Sequence, residues 1–120
     1  MRWLVHGSKT TSAVANALRR HGHAVDSLDP SPLQSSDDFF RVAHQKQLDV
    51  ITTDSDLASS AAQMAGRFDR SIVFLQVEGG DVEQDDAVDR LFERYKRLSP
   101  RRLYTVTGSR VKVKQLPGAR

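Results

Sequence analysis

The chain contains no cysteine, which excludes disulfides and thiolate metal sites alike. Aromatic residues make up only 7% of it, with a single tryptophan, so its core must be mainly aliphatic. Seven glycines and four prolines are too few for a collagen-like or low-complexity chain. Long apolar runs are missing too. The stretch Met1-Arg2-Trp3-Leu4-Val5-His6-Gly7 is too short for a signal peptide or a membrane span. The expectation is a cytoplasmic protein without a membrane partner.

What is present fits one domain. A chain of 120 residues has room for a single core and buries about two-thirds of its unfolded surface. That domain is expected over residues 1–116, with 117–120 as a tail. Charge is unevenly placed. From Arg90 to Arg120, ten Lys or Arg stand against one acid, Glu93, a segment charge of +9. The preceding 89 residues therefore carry −6 of the net +3. Such a basic end fits a polyanion-binding surface, and it equally fits a solvated face.

Periodicity gives an alternating order of elements. Arg2 to Val5 reads as a strand. Val14, Ala17, Leu18 and His21 then mark one face of a helix over Thr10–His21. Thr10 or Thr11 can cap it, and Gly22 suits the left-handed position past its end. Ala24–Leu28 is a second strand, closed by Asp29-Pro30-Ser31-Pro32. Ser35 or Ser36 caps a helix from Asp37 to about Gln47, carrying Phe39, Phe40, Ala43 and His44.

The β-branched run Asp49–Thr53 predicts a strand buried on both faces. An alanine-rich helix follows to about Gly66, and Ser71–Val77 is the strongest strand signal. Val88, Leu91, Phe92, Tyr95 and Leu98 predict a last helix, stopped by Pro100. Gly108-Ser109 is a two-residue turn in a terminal hairpin, with Val111 and Val113 facing away from Lys112 and Lys114. The pattern predicts an α/β fold, its mostly parallel sheet joined by right-handed crossovers through the first four strands and ending in a β-hairpin.

In such sheets ligands collect beyond the carboxyl ends of the strands. Those positions are His6-Gly7-Ser8, Asp54-Ser55-Asp56 and Glu78-Gly79-Gly80. Asp37 and Asp38 open a helix expected to enter the same edge. Carboxylates gathered there repel one another unless a hard cation such as Mg²⁺ or Mn²⁺ joins them. Each of Asp37, Asp38 and Asp56 is also an ordinary helix-start residue.

Leu4-Val5, Leu18-Arg19-Arg20-His21-Gly22-His23-Ala24-Val25, Ser36-Asp37-Asp38-Phe39 and Val50-Ile51-Thr52-Thr53-Asp54-Ser55-Asp56-Leu57 resemble the PIN-like DUF5615 proteins, small relatives of toxin and Mut7-C type PIN nucleases. The later strand, last helix and hairpin follow the same order, so the resemblance covers nearly the whole chain. It implies a PIN-like three-layer fold, Mg²⁺ or Mn²⁺ held by clustered acids, and hydrolysis of RNA.

By position, Asp37, Asp54 and Asp56 are the implied metal-binding acids, with Asp37 and Asp54 catalytic. The chain departs from the family at the end of its first strand. Where the family has Asp-Glu-Asn, this sequence has His6-Gly7-Ser8. Imidazole can bind Mn²⁺ but suits Mg²⁺ poorly, so His6 is a candidate ligand or general base of a weakened site.

Arg101, Arg102, Lys112 and Lys114 are the candidates for holding an RNA backbone. The alternative is a non-catalytic module that binds RNA or a protein such as an antitoxin, or that self-associates.

Other motifs are weaker. Leu48–Asp54 resembles a response-regulator phospho-acceptor strand, but the acidic pair, the Ser or Thr and the Lys that receivers need are absent. Gly7-Ser8-Lys9-Thr10 lacks the upstream glycine of a P-loop, though Lys9 and nearby amides remain candidates for one phosphate contact. His21, His23 and His44 lack zinc spacing. Tyr104 beside Lys112 and Lys114 is a candidate for base stacking or for core packing.

Overall fold

The computed structural model describes residues 2–6, 9–26, 36–62 and 70–116, with only the backbone described at 36–39 and 61–62. Ten elements follow in order: β1 (Arg2–His6), α1 (Ser12–Arg20), β2 (Ala24–Asp26), α2 (Ser36–Gln45), β3 (Asp49–Thr52), α3 (Ser55–Ala62), β4 (Ile72–Leu75), α4 (Asp81–Arg94), β5 (Arg102–Val106) and β6 (Val111–Gln115). The strands form one sheet in the order β2-β1-β3-β4-β5-β6. All pairings are parallel except β5 with β6. The chain is thus an α/β protein with a mostly parallel sheet and a C-terminal hairpin.

Strand alternation divides the core in two. Trp3, Ile51, Val73, Tyr104 and Val106 pack on one face against Val14, Ala17 and Leu18 of α1 and Ala87, Val88 and Leu91 of α4. Leu4, Val50, Ile72 and Leu103 pack on the other against Phe40 and Ala43 of α2 and Leu57 of α3. Each fully buried Leu, Ile or Val contributes about 1.5–3 kcal/mol by leaving water. β3 lies between both helix layers, and all four of its residues are buried, as its β-branched run predicts.

Local signals act where expected. The Thr11 side chain caps α1 by accepting from the Ala13 amide. Gly22 has φ of +86°, and the Gly22 and His23 amides return to the Arg19 and Leu18 carbonyls. In the hairpin, Val111 and Val113 pair opposite Val106 and Tyr104, while Lys112 and Lys114 pair opposite Thr105 and Leu103. The alternation read from sequence therefore holds. The Thr107 hydroxyl accepts from the Arg110 amide and ties the turn.

Two expectations are corrected. α4 begins just after Gly80 and ends at Arg94, well short of Pro100. The chain leaves the helix because Tyr95 packs edge-on against Tyr104, while the Tyr104 hydroxyl accepts from the Ser99 amide. These contacts hold residues 95–99 along the sheet. Tyr104 itself is only 2% exposed, on the face away from Lys112 and Lys114, which overturns the base-stacking reading.

Three connections, β1-α1-β2, β2-α2-β3 and β3-α3-β4, place their helices with one consistent hand. The β4-α4-β5 connection steps along the sheet in the same direction as β3-α3-β4, yet α4 lies on the opposite face. Its crossover has the opposite hand, a rare arrangement among parallel connections. Ser27–Leu28, the Asp29–Pro32 segment, Ser35, and the expected end of α3 at Gly66 lie outside the described residues.

Candidate functional site

Strand order reverses between β1 and β3, because β1 is followed in sequence by β2 on one side and lies beside β3 on the other. Doubly wound sheets open a crevice at this point, beyond the carboxyl ends of the strands. His6 ends β1 there and Thr52 ends β3, and the two are in register.

A set of threonines organises this edge. His6 Nδ1 lies 3.0 Å from Thr52 Oγ1, which also accepts from the Asp54 amide at 2.9 Å. The Thr10 hydroxyl donates to the His6 carbonyl at 2.7 Å. With its proton so directed, Thr10 Oγ1 accepts from the Thr53 hydroxyl 2.8 Å away. The loop before α1 is thereby joined to the loop before α3.

Gln84 fixes the same loop from behind. Its side chain is 2% exposed in the first turn of α4. Nε2 donates to the Lys9 carbonyl at 2.8 Å, and Oε1 accepts from the Thr11 amide at 2.8 Å. The Ala13 amide is used by Thr11, and the Val14 amide by the Thr11 carbonyl. These amides are therefore engaged within the protein, which weakens the reading of a phosphate contact before the first helix. The reversed hand of the α4 crossover is what brings Gln84 to this loop.

Asp54 is half-buried and serves as a helix cap, its Oδ1 accepting from the Asp56 amide at 2.9 Å. Asp56 is exposed in the first turn of α3. Asp37 and Asp38 lie in the first turn of α2, and their side chains are outside the described residues. Burial pushes the His6 imidazole below its usual 6.5, and the nearby Asp54 carboxylate opposes the shift. His6 is therefore biased toward the neutral form, as a ligand or a general base must be.

Among the described residues, no three His, Asp or Glu side chains gather closely enough to hold a metal ion. One carboxylate and one imidazole do not match the octahedral oxygen shell that Mg²⁺ demands. A cation at this edge therefore needs oxygen ligands beyond these two side chains.

Beside Thr53 a cleft of about 490 Å³ continues along the carboxyl edge, lined by Phe74, Gln76, Glu78, Thr107 and Lys112 among others. Lys112 is the candidate RNA-contacting residue that the structure brings to the site. Arg101 and Arg102 lie at the amino end of β5, about 13 Å along the sheet by strand rise. Lys114 pairs opposite Leu103, toward that same end.

Sequence reading missed Thr10, Thr52, Thr53 and Gln84. Thr52 and Thr53 looked like strand formers, and Thr10 like a helix cap. Gln84 did leave a signal: it is the one polar residue on the stripe continued by Ala87, Val88 and Leu91. No helix among the described residues is long and apolar enough to cross a membrane. No family model matches the chain, and neither a curated protein nor a solved structure matches it significantly.

Proposed function

We propose that this chain is a PIN-like domain of the metal-dependent ribonuclease type, with a depleted cation site that supports only slow cleavage of RNA. The observation that carries the reading is the meeting of His6 and Asp54 through Thr52 at the strand-order reversal. Further support comes from the cleft beside Thr53, where Lys112 stands ready for a phosphate backbone. Asp54 and Asp37 would hold the ion, with His6 in place of a further acid. When bound, such a cation polarises a phosphodiester and acidifies an attacking water. A nitrogen donor favours Mn²⁺ over Mg²⁺.

The test is RNA cleavage with each metal by the wild type, Asp54→Asn and His6→Asp. The expected result is slow Mn²⁺-dependent cleavage that disappears in Asp54→Asn. His6→Asp should raise Mn²⁺ affinity and bring in Mg²⁺. Absence of Mn²⁺ binding by both the wild type and His6→Asp would sink the reading.

A second reading, a non-catalytic module for RNA or for a protein partner of the antitoxin type, draws support from Asp54 acting as a helix cap. It predicts RNA retention, weakened by Lys112→Gln and Lys114→Gln, with no cleavage under any metal. Sedimentation of the free chain would reveal a homo-oligomer.

A further inference from the structure

A second cleft opens at the opposite edge of the sheet. Asp49 opens β3, Ser71 precedes β4 and His23 precedes β2, so these residues mark the amino ends of three strands. Together with Arg70, Lys96 and Arg97 they line a cavity of about 380 Å³. A five-residue strand separates this edge from the His6–Asp54 site, about 13 Å of chain.

The charges in the wall do not cancel. Asp49 is 2% exposed and fully engaged, Oδ1 accepting from the Ser71 amide at 2.8 Å and Oδ2 from Arg70 Nη2 at 3.2 Å. Arg70 therefore balances Asp49. Lys96 and Arg97 are exposed, and neither makes an ion pair among the described residues. Among the described lining residues, three cations against one carboxylate leave an excess of two positive charges.

Cations just past the C-terminus of α4 also suit the helix dipole, which by itself explains Lys96 and Arg97. It does not explain a second observation. Arg70 Nε and His23 Nδ1 are buried without a hydrogen-bond partner among the described residues, and both residues belong to the cleft wall. Arg70 Nε is a donor and His23 Nδ1 is one in one imidazole tautomer, and buried polar groups left unpaired are uncommon in native folds.

We propose that this cleft binds the phosphate of a phosphate monoester, with Arg70, Lys96 and Arg97 around the oxyanion. Guanidinium groups match phosphate oxygens in pairs, and the lysine adds a mobile point charge. Leu98 and Pro100 complete the wall and offer an apolar surface to the rest of the ligand. The volume suits a mononucleotide-sized molecule. His23 faces the site as a neutral imidazole, since burial holds its pKa below 6.5, and it contributes a hydrogen-bonding nitrogen rather than charge.

The experiment is an NMR titration of the full chain with inorganic phosphate and with uridine monophosphate, against sodium chloride at matched ionic strength. Saturable shifts are expected at the His23, Ser71 and Arg97 amides, with His6 and Thr53 unmoved. Tighter binding of the nucleotide than of phosphate would support the apolar wall. Removing two charge-assisted contacts in Lys96→Gln/Arg97→Gln should weaken binding at least about tenfold. Both positions are exposed, so this variant should fold. Arg70→Lys keeps the charge and removes Nε, and should weaken binding several-fold. If it fails to fold, the double variant decides. Shifts that never saturate and follow chloride, or equal binding by the double variant, would overturn the proposal.

Discussion

Gln84→Leu tests whether α4 governs the loop that enters the candidate site. Leucine keeps nearly the same volume, so packing against Ala87 and Val88 changes little. What is lost is the pair of hydrogen bonds to the Lys9 carbonyl and the Thr11 amide, each 2.8 Å long, and a weaker one from the Thr11 hydroxyl at 3.3 Å. A buried polar group left unpaired costs about 1–3 kcal/mol.

Lys9 is exposed and Thr11 half-buried, so water can recover part of that loss. The expected destabilisation is about 2–3 kcal/mol in urea unfolding, or roughly 6–15 °C in Tm for a chain of this size. Because Thr10 links the loop to His6 and Thr53, amide shifts should spread to both residues in the folded variant. A loss below about 0.5 kcal/mol with unchanged His6 and Thr53 signals would refute the reasoning, since ordinary surface substitutions give as much.

Gln84→Glu sharpens the test. A carboxylate still accepts from Thr11, but it faces the Lys9 carbonyl and is buried. Burial raises its folded pKa above the unfolded ~4.3, so its contribution is full below that pH and is lost as pH rises through the folded value. Relative to the wild type at each pH, the variant should therefore gain stability on acidification.

Burial, reinforced by nearby positive charge, lowers the His23 pKa from 6.5. Its contribution to stability should thus be full above 6.5 and fall away as pH drops through the lower folded value. NMR titration and unfolding from pH 7.5 to 5 check this, and His23→Gln should flatten that part of the profile. Trp3 is wholly buried and its Nε1 has no partner among the described residues, so Trp3→Phe should cost less than about 2 kcal/mol, against about 3–5 for Trp3→Ala. Gly79→Ala meets φ of +114° and a Cβ position 2.5 Å from the Glu83 side chain, which itself accepts from the Gly80 amide. A loss of about 1–2 kcal/mol is expected by thermal unfolding.

Short-range signals were legible in the residues themselves. Gly22 after α1, the Val111–Lys114 alternation and the β-branched run of β3 each specify a local conformation or a buried face, because backbone sterics and side-chain period act within a few residues. Asp54 could be placed at the end of β3 on the same grounds. The sequence also held Gln84 on an apolar stripe, although nothing local says what a buried amide will face.

Tertiary structure decided the rest. Pro100 looked like the end of α4, but packing of Tyr95 on Tyr104, from a distant strand, ended the helix at Arg94. Arg101 and Arg102 seemed to belong with Lys112 because they share one basic segment. The hairpin register instead sets Arg102 against Gln115 and leaves Lys112 near Thr53. α4 lies on the sheet face that carries Val73, Leu75, Tyr104 and Val106, and its crossover is reversed in hand for that reason. That is a property of the assembled sheet, and no single segment carries it. Sequence alone determined the elements and their alternation. Only the fold determined which of their ends meet.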